Sequence, residues 1–135
     1  MEHMISNGEI SLSVSENGAE MMSIKKDGIE YLWQGNPEFW SGRAYNLFPI
    51  CGRLTDGKYT FKGKTYEMML HGFAKLSLFP LAEKGENFLT FTLESNEETK
   101  KMYPFDFVLT VKYTLAGGCI RMDYIVKNAG NENMF

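Results

Sequence analysis

Cysteine and histidine are scarce in these 135 residues, and no long apolar run occurs. The two cysteines, Cys51 and Cys119, are too few and too far apart to suggest a disulfide framework. No CxxC or HxxxH spacing occurs, so no metal centre is expected, and no cofactor signature is present. No apolar run approaches the ~20 residues that a membrane-spanning helix needs. The opening "MEHMISNGEISLSV" lacks the basic and apolar regions of a signal peptide, so a cytoplasmic protein is the simplest expectation. Basic clusters are missing too. The formal net charge is −3, and the only basic doublets, Lys25-Lys26 and Lys100-Lys101, sit beside acids. A phosphate-binding surface needs grouped Lys and Arg, so nucleic acid is excluded as an expected partner.

What the chain has instead is alternation. Hydrophobic residues make up 44% and aromatics 14%, a composition suited to strands. "EISLSVS" sets Ile10, Leu12 and Val14 on one face against serines. "FVLTVKYTL" sets Phe107, Leu109, Val111, Tyr113 and Leu115 on one face, and "CIRMDYIVK" continues with Ile120, Met122, Tyr124 and Val126. These two runs meet at Gly117-Gly118 and predict a hairpin. "KYTFKGKTYEM" predicts a second, turning at Lys62-Gly63. "LSLFPLAEK" and "NFLTFTLES" predict a third pair around Gly85-Glu86. Only "NEETKKMYP" reads as helix: Asn96 is an N-cap type, acids precede lysines, and Pro104 ends the run. The expectation is one all-β unit over residues 1–135, an antiparallel sandwich.

Residues 35–55 break the rhythm, with two prolines, two arginines and the adjacent Phe39 and Trp40. Irregular segments of this length are uncommon in β domains and often carry function. The competing reading is a lid over the core. Cys51 stands two residues from Arg53, yet no partner pattern for a cysteine nucleophile accompanies it, so a small filler is expected.

The ordered set "NGAEMMSIKKDGIEYLWQGNPEFW", "LFPICGRLTDGKYTFKGKTYEM", "LHGFAK" and "SNEETKKMYPFDFVLTVKYTL" resembles the N-terminal half of aldose 1-epimerase (mutarotase) family proteins, nearest the LacX-like branch. The resemblance implies a β-sandwich of galactose mutarotase type and a monosaccharide substrate, an aldose with or without phosphate. It also implies general acid–base opening of the sugar ring, without metal or nucleotide. Arg53 in "CGRL" matches the family arginine that reaches sugar hydroxyls. His71 in "LHGF" matches the first of two site histidines, with Gly72 allowing close backbone approach. Arg43 holds a family-like arginine position, open between pocket lining and a structural ion pair. Trp40, Trp33 and Phe48 are open between stacking on sugar and packing in the core. The family's second histidine and its glutamate base have no counterpart among these residues. The resemblance therefore implies the N-terminal portion of the sandwich, with little or no activity alone. Bare sheet edges and an uncovered apolar face are then expected, and with them a homo-oligomer. A non-catalytic carbohydrate-binding module and a truncated remnant are the alternatives.

Overall fold

The computed structural model describes residues 1–135. Four short strands open the chain: β1 (Glu2–Ser6), β2 (Ser11–Ser15), β3 (Met21–Lys26) and β4 (Ile29–Glu30). They form an antiparallel sheet in sequential order. An irregular stretch then leads to a separate hairpin, β5 (Lys58–Phe61) with β6 (Lys64–Glu67). Its turn places Lys62 at φ 49° and Gly63 at φ 75°. That pair of left-handed residues is what a two-residue hairpin loop demands.

The second sheet holds β7 (Leu81–Lys84), β8 (Phe88–Glu94), β9 (Phe107–Ala116) and β10 (Cys119–Asn128), in the order β10-β9-β8-β7. Every strand pair in both sheets is antiparallel. The period-two pattern is realised cleanly in β9, where Phe107, Leu109, Val111, Tyr113 and Leu115 are each at most 2% exposed. They meet Leu12 and Val14 of β2 and Leu89, Phe91 and Leu93 of β8 in one cluster of 19 buried residues. Burying one such side chain contributes about 1.5–3 kcal/mol, so this cluster supplies the main driving force of the fold.

The one α-helix, α1 (Glu97–Met102), starts as expected. Asn96 Oδ1 accepts from the backbone N–H of Glu98 and Thr99, each at 3.0 Å, while Thr99 Oγ1 accepts from Asn96 N at 2.8 Å. Such a reciprocal cap stabilises a helix by about 1 kcal/mol. No helix is long and apolar enough to cross a membrane.

Three details differ from the sequence expectations. The residues before Leu81 in "LSLFPLAEK" are not strand; Ala74–Leu76 form a 3-10 turn and Pro80 immediately precedes β7. Strands β1, β3 and β4 had no clean alternation to announce them, because β3 is only half covered along its length. In β10 the expected inward set splits: Ile120 and Met122 are half-buried, while Tyr124 and Val126 remain 53% and 45% exposed. Beyond β9 the opposing layer no longer covers the sheet.

Candidate functional site

The irregular segment is held from its middle. Asn46 is only 2% exposed, and a buried amide must find partners for all its groups. Its Nδ2 donates to the carbonyls of Gly18 and Ala19, each at 2.8 Å, and lies 3.1 Å from the Tyr113 hydroxyl. Its Oδ1 accepts from the Tyr124 hydroxyl at 2.6 Å. Tyr113 in turn donates to Ala19 O at 2.6 Å, and burial pushes its hydroxyl well above the usual tyrosine range. Asn46 thus ties the segment to both sheets.

From Asn46 the chain runs as a strap against residues 71–74. Phe48 O accepts from Phe73 N at 2.9 Å and Ala74 N at 3.3 Å, and Phe48 bridges Gly72 in parallel fashion. A Cβ at Gly72 would stand 2.0 Å from Phe48 O, and Gly72 has φ +71°. No other residue type fits there. The Phe48 ring packs on Phe73, Tyr103 and Phe107 at 5.9, 5.8 and 5.1 Å, partly buried against the core.

At the far end of the strap, Gly52 and His71 exchange two hydrogen bonds. His71 N donates to Gly52 O at 2.8 Å, and Gly52 N donates to His71 Nδ1 at 3.0 Å. With Nδ1 accepting, a neutral imidazole carries its proton on Nε2. His71 is half-buried and has φ 68°, a left-handed backbone that turns its ring back onto the strap. Arg53 follows Gly52 directly. It is exposed, enters no ion pair, and lines an open cleft of ≈ 510 Å³ with Asp56, Gly57, Met68, Met69 and Leu70. The structure therefore brings the Arg53 and His71 segments together. The Arg53 guanidinium fork and the His71 Nε2–H are donors suited to hydroxyl oxygens, and Asp56 adds a carboxylate acceptor to the cleft lining.

Arg43 and Trp40 belong to a different cluster. Glu20 Oε1 accepts from the backbone N–H of Arg43 and Ala44, each at 2.8 Å. The Arg43 guanidinium reaches Met22 Sδ at 3.4 Å and Gln34 O at 3.3 Å, while its buried Nε has no partner. Arg43 makes no side-chain ion pair, the structural alternative left open by sequence. Trp40 is 47% exposed and meets Tyr45 edge-on at 5.6 Å; its carbonyl accepts from Trp33 Nε1 at 2.8 Å. Trp33 in turn meets Phe39 at 6.4 Å. Neither Arg43 nor Trp40 lines the Arg53 cleft. Cys51 is exposed rather than a buried filler. Sequence reasoning missed Asn46; its only trace is an amide set between aromatic and apolar neighbours in "AYNLFP".

Known proteins share this fold. Residues 1–135 match the family model described as aldose 1-epimerase. A LacX protein of Lactococcus lactis subsp. lactis is 38% identical over 134 residues, 95% of this chain and 45% of that protein. A galactose mutarotase related enzyme from Lactobacillus acidophilus superposes with TM-score 0.98 at 41% identity, covering 99% of this chain and 45% of that one. A galactose mutarotase-like protein from Lactobacillus casei gives 0.96 at 35% identity, covering 99% and 46%. The chain thus spans less than half the length of each. The all-β, antiparallel architecture is that of the galactose mutarotase-like proteins, and the chain belongs to the aldose 1-epimerase family.

Proposed function

We propose that residues 1–135 form the N-terminal portion of an aldose 1-epimerase-like sandwich and carry the sugar-gripping part of its site. The observation that supports this most is the double hydrogen bond between Gly52 and His71, which ties the His71 segment to the residue preceding Arg53. Anomer exchange removes the proton from the C1 hydroxyl and delivers one to the ring oxygen as the C1–O5 bond breaks. The open aldehyde rotates and closes on its other face, and the two protons return. Arg53 would donate to two neighbouring sugar hydroxyls, and His71 Nε2–H to a third oxygen, so that the ring is held while these protons move. His71 is the catalytic candidate among the residues present, by polarising the oxygen it touches. The full proton relay needs a second acid–base pair, which we assign to the part of the family's length that this chain does not span. Arg43 and Trp40 are proposed to support the loop beside the site. The ligand class is an aldose or its phosphate.

Polarimetry on freshly dissolved α-glucose and α-galactose, and on a sugar phosphate, tests the reading. The expected result is binding, seen as a change in tryptophan fluorescence, with slow or no anomer exchange. Exchange at a full enzymatic rate that survives His71→Ala would overturn the assignment. The lining of the Arg53 cleft holds no histidine, which favours a second reading, a carbohydrate-binding module without chemistry. Addition of the family's remaining half separates the two: only the first reading gains anomer exchange.

A further inference from the structure

Asp56 is the only carboxylate among the residues that line the Arg53 cleft, whose other walls are Gly57, Met68, Met69 and Leu70. It stands in the middle of the 3-10 turn Thr55–Gly57 with φ 54° and ψ 16°, and Gly57 follows at φ 67°. Aspartate and asparagine are among the few residue types that tolerate a left-handed backbone, so turn formation alone could select an aspartate here. That reason accounts for the backbone and leaves the carboxylate idle. An aspartate that builds a turn with its side chain caps the N–H groups that follow it. Here those groups go to the main chain: Gly57 N donates to Leu54 O at 3.0 Å, and Lys58 N donates to Thr55 O. The carboxylate enters no ion pair either, although Arg53 lines the same cleft. The next cation along the chain, Lys58, is taken by Glu67 at 3.4 Å.

We infer that Asp56, given the sugar-gripping role proposed above, is a specificity-determining residue of the site: it accepts hydrogen bonds from sugar hydroxyls and turns away phosphorylated sugars. A sugar hydroxyl both donates and accepts. Arg53 offers only donors and Asp56 only acceptors, so one hydroxyl gives its proton to the carboxylate while a neighbour receives a guanidinium N–H. Hydrogen bonds with one charged partner are roughly twice as strong as neutral ones. Met68, Met69 and Leu70 supply apolar surface for the C–H groups of the ring. The same pair decides on charge. A phosphate group carries about −1.5 to −2 near pH 7, and its recognition calls for a surplus of cations. No surplus exists here: Arg53 and Asp56 cancel, Lys58 and Glu67 cancel, and Arg43 lies outside the cleft. A hexose is narrower than the ~8 Å screening length at physiological salt, so a phosphate on any of its carbons feels the Asp56 carboxylate. A neutral aldose meets no such repulsion.

Titration of the chain with glucose, galactose and their 6-phosphates, followed by NMR at the Arg53 and Gly57 amides, tests this in the wild type, Asp56→Asn and Asp56→Gly. Both replacements accept the left-handed backbone, and far-UV circular dichroism checks that they fold. The wild-type chain is expected to bind each neutral sugar roughly tenfold or more tightly than its phosphate. Asp56→Asn removes the charge and keeps an acceptor, so it should cut that preference roughly tenfold, chiefly by admitting the phosphates. Asp56→Gly should in addition weaken the neutral sugars roughly fivefold. Higher salt should shrink the wild-type preference and leave that of Asp56→Asn nearly unchanged. Phosphates bound by the wild type as tightly as neutral sugars overturn the inference, as does a preference that survives both replacements. If neither class of sugar binds the wild-type chain, the sugar-gripping role itself falls and the role of Asp56 falls with it.

Discussion

Two parts of one irregular segment are built on different terms. Residues 46–53 spend their backbone groups on the rest of the molecule: Asn46 satisfies two sheets, Phe48 O takes two donors, and Gly52 exchanges bonds with His71. Residues 33–45 are held mainly by Glu20 and by each other, and they expose Phe39 at 78% and Trp40 at 47%. The first part has one arrangement available, enforced by sterics and buried polarity. The second is a surface of aromatic rings with looser constraints. Precision of this kind is what the proposed sugar grip would need.

The strongest way to break the contrast is Gly72→Ala. The added methyl meets the Phe48 carbonyl carbon and oxygen, and backbone cannot swing aside as a side chain tip can. A loss on the order of 3 kcal/mol or more is expected in urea unfolding. An unchanged midpoint would mean that the strap is not pinned there. Asn46→Ala comes next. It strips partners from buried Gly18, Ala19 and Tyr113 groups, and a loss of about 2–3 kcal/mol is expected by the same measurement. His71→Ala sharpens the comparison by separating binding from folding. One half-buried hydrogen bond disappears, so stability should fall by about 1 kcal/mol, whereas sugar affinity should fall roughly tenfold or more. Equal loss in both would demote His71 to a structural residue. Smallest are Trp40→Ala and Arg43→Ala: stability within about 1 kcal/mol and sugar affinity within roughly threefold, by tryptophan fluorescence and by calorimetry respectively. A larger fall in affinity with unchanged stability would move the exposed loop into the site.

Elements with strong local signatures are legible in the sequence itself. The β9–β10 and β5–β6 hairpins follow from alternation plus Gly117-Gly118 and Lys62-Gly63, because strand period and turn conformation are set by neighbouring residues. The α1 cap follows from Asn96 ahead of the acids of the first turn, while the reciprocal bond to Thr99 appears only in the fold. Arg53 and His71 are marked by motif, and the fold brings their segments together. The separation of Arg43 and Trp40 from the Arg53 cleft is not legible in the same way. It depends on the Glu20 carboxylate and the Gln34 carbonyl, to which no local pattern points.

By itself the sequence determined the class of fold, the hairpins, the helix cap and the family, since each rests on short-range periodicity or on residues close along the chain. Tertiary structure alone decided where Asn46 would find its partners and that Gly52, next to Arg53, would bond to His71. Those outcomes turn on contacts between residues 19 to 78 positions apart, such as Gly52 with His71 and Asn46 with Tyr124. The free energy of such contacts appears only once the two sheets have closed on each other.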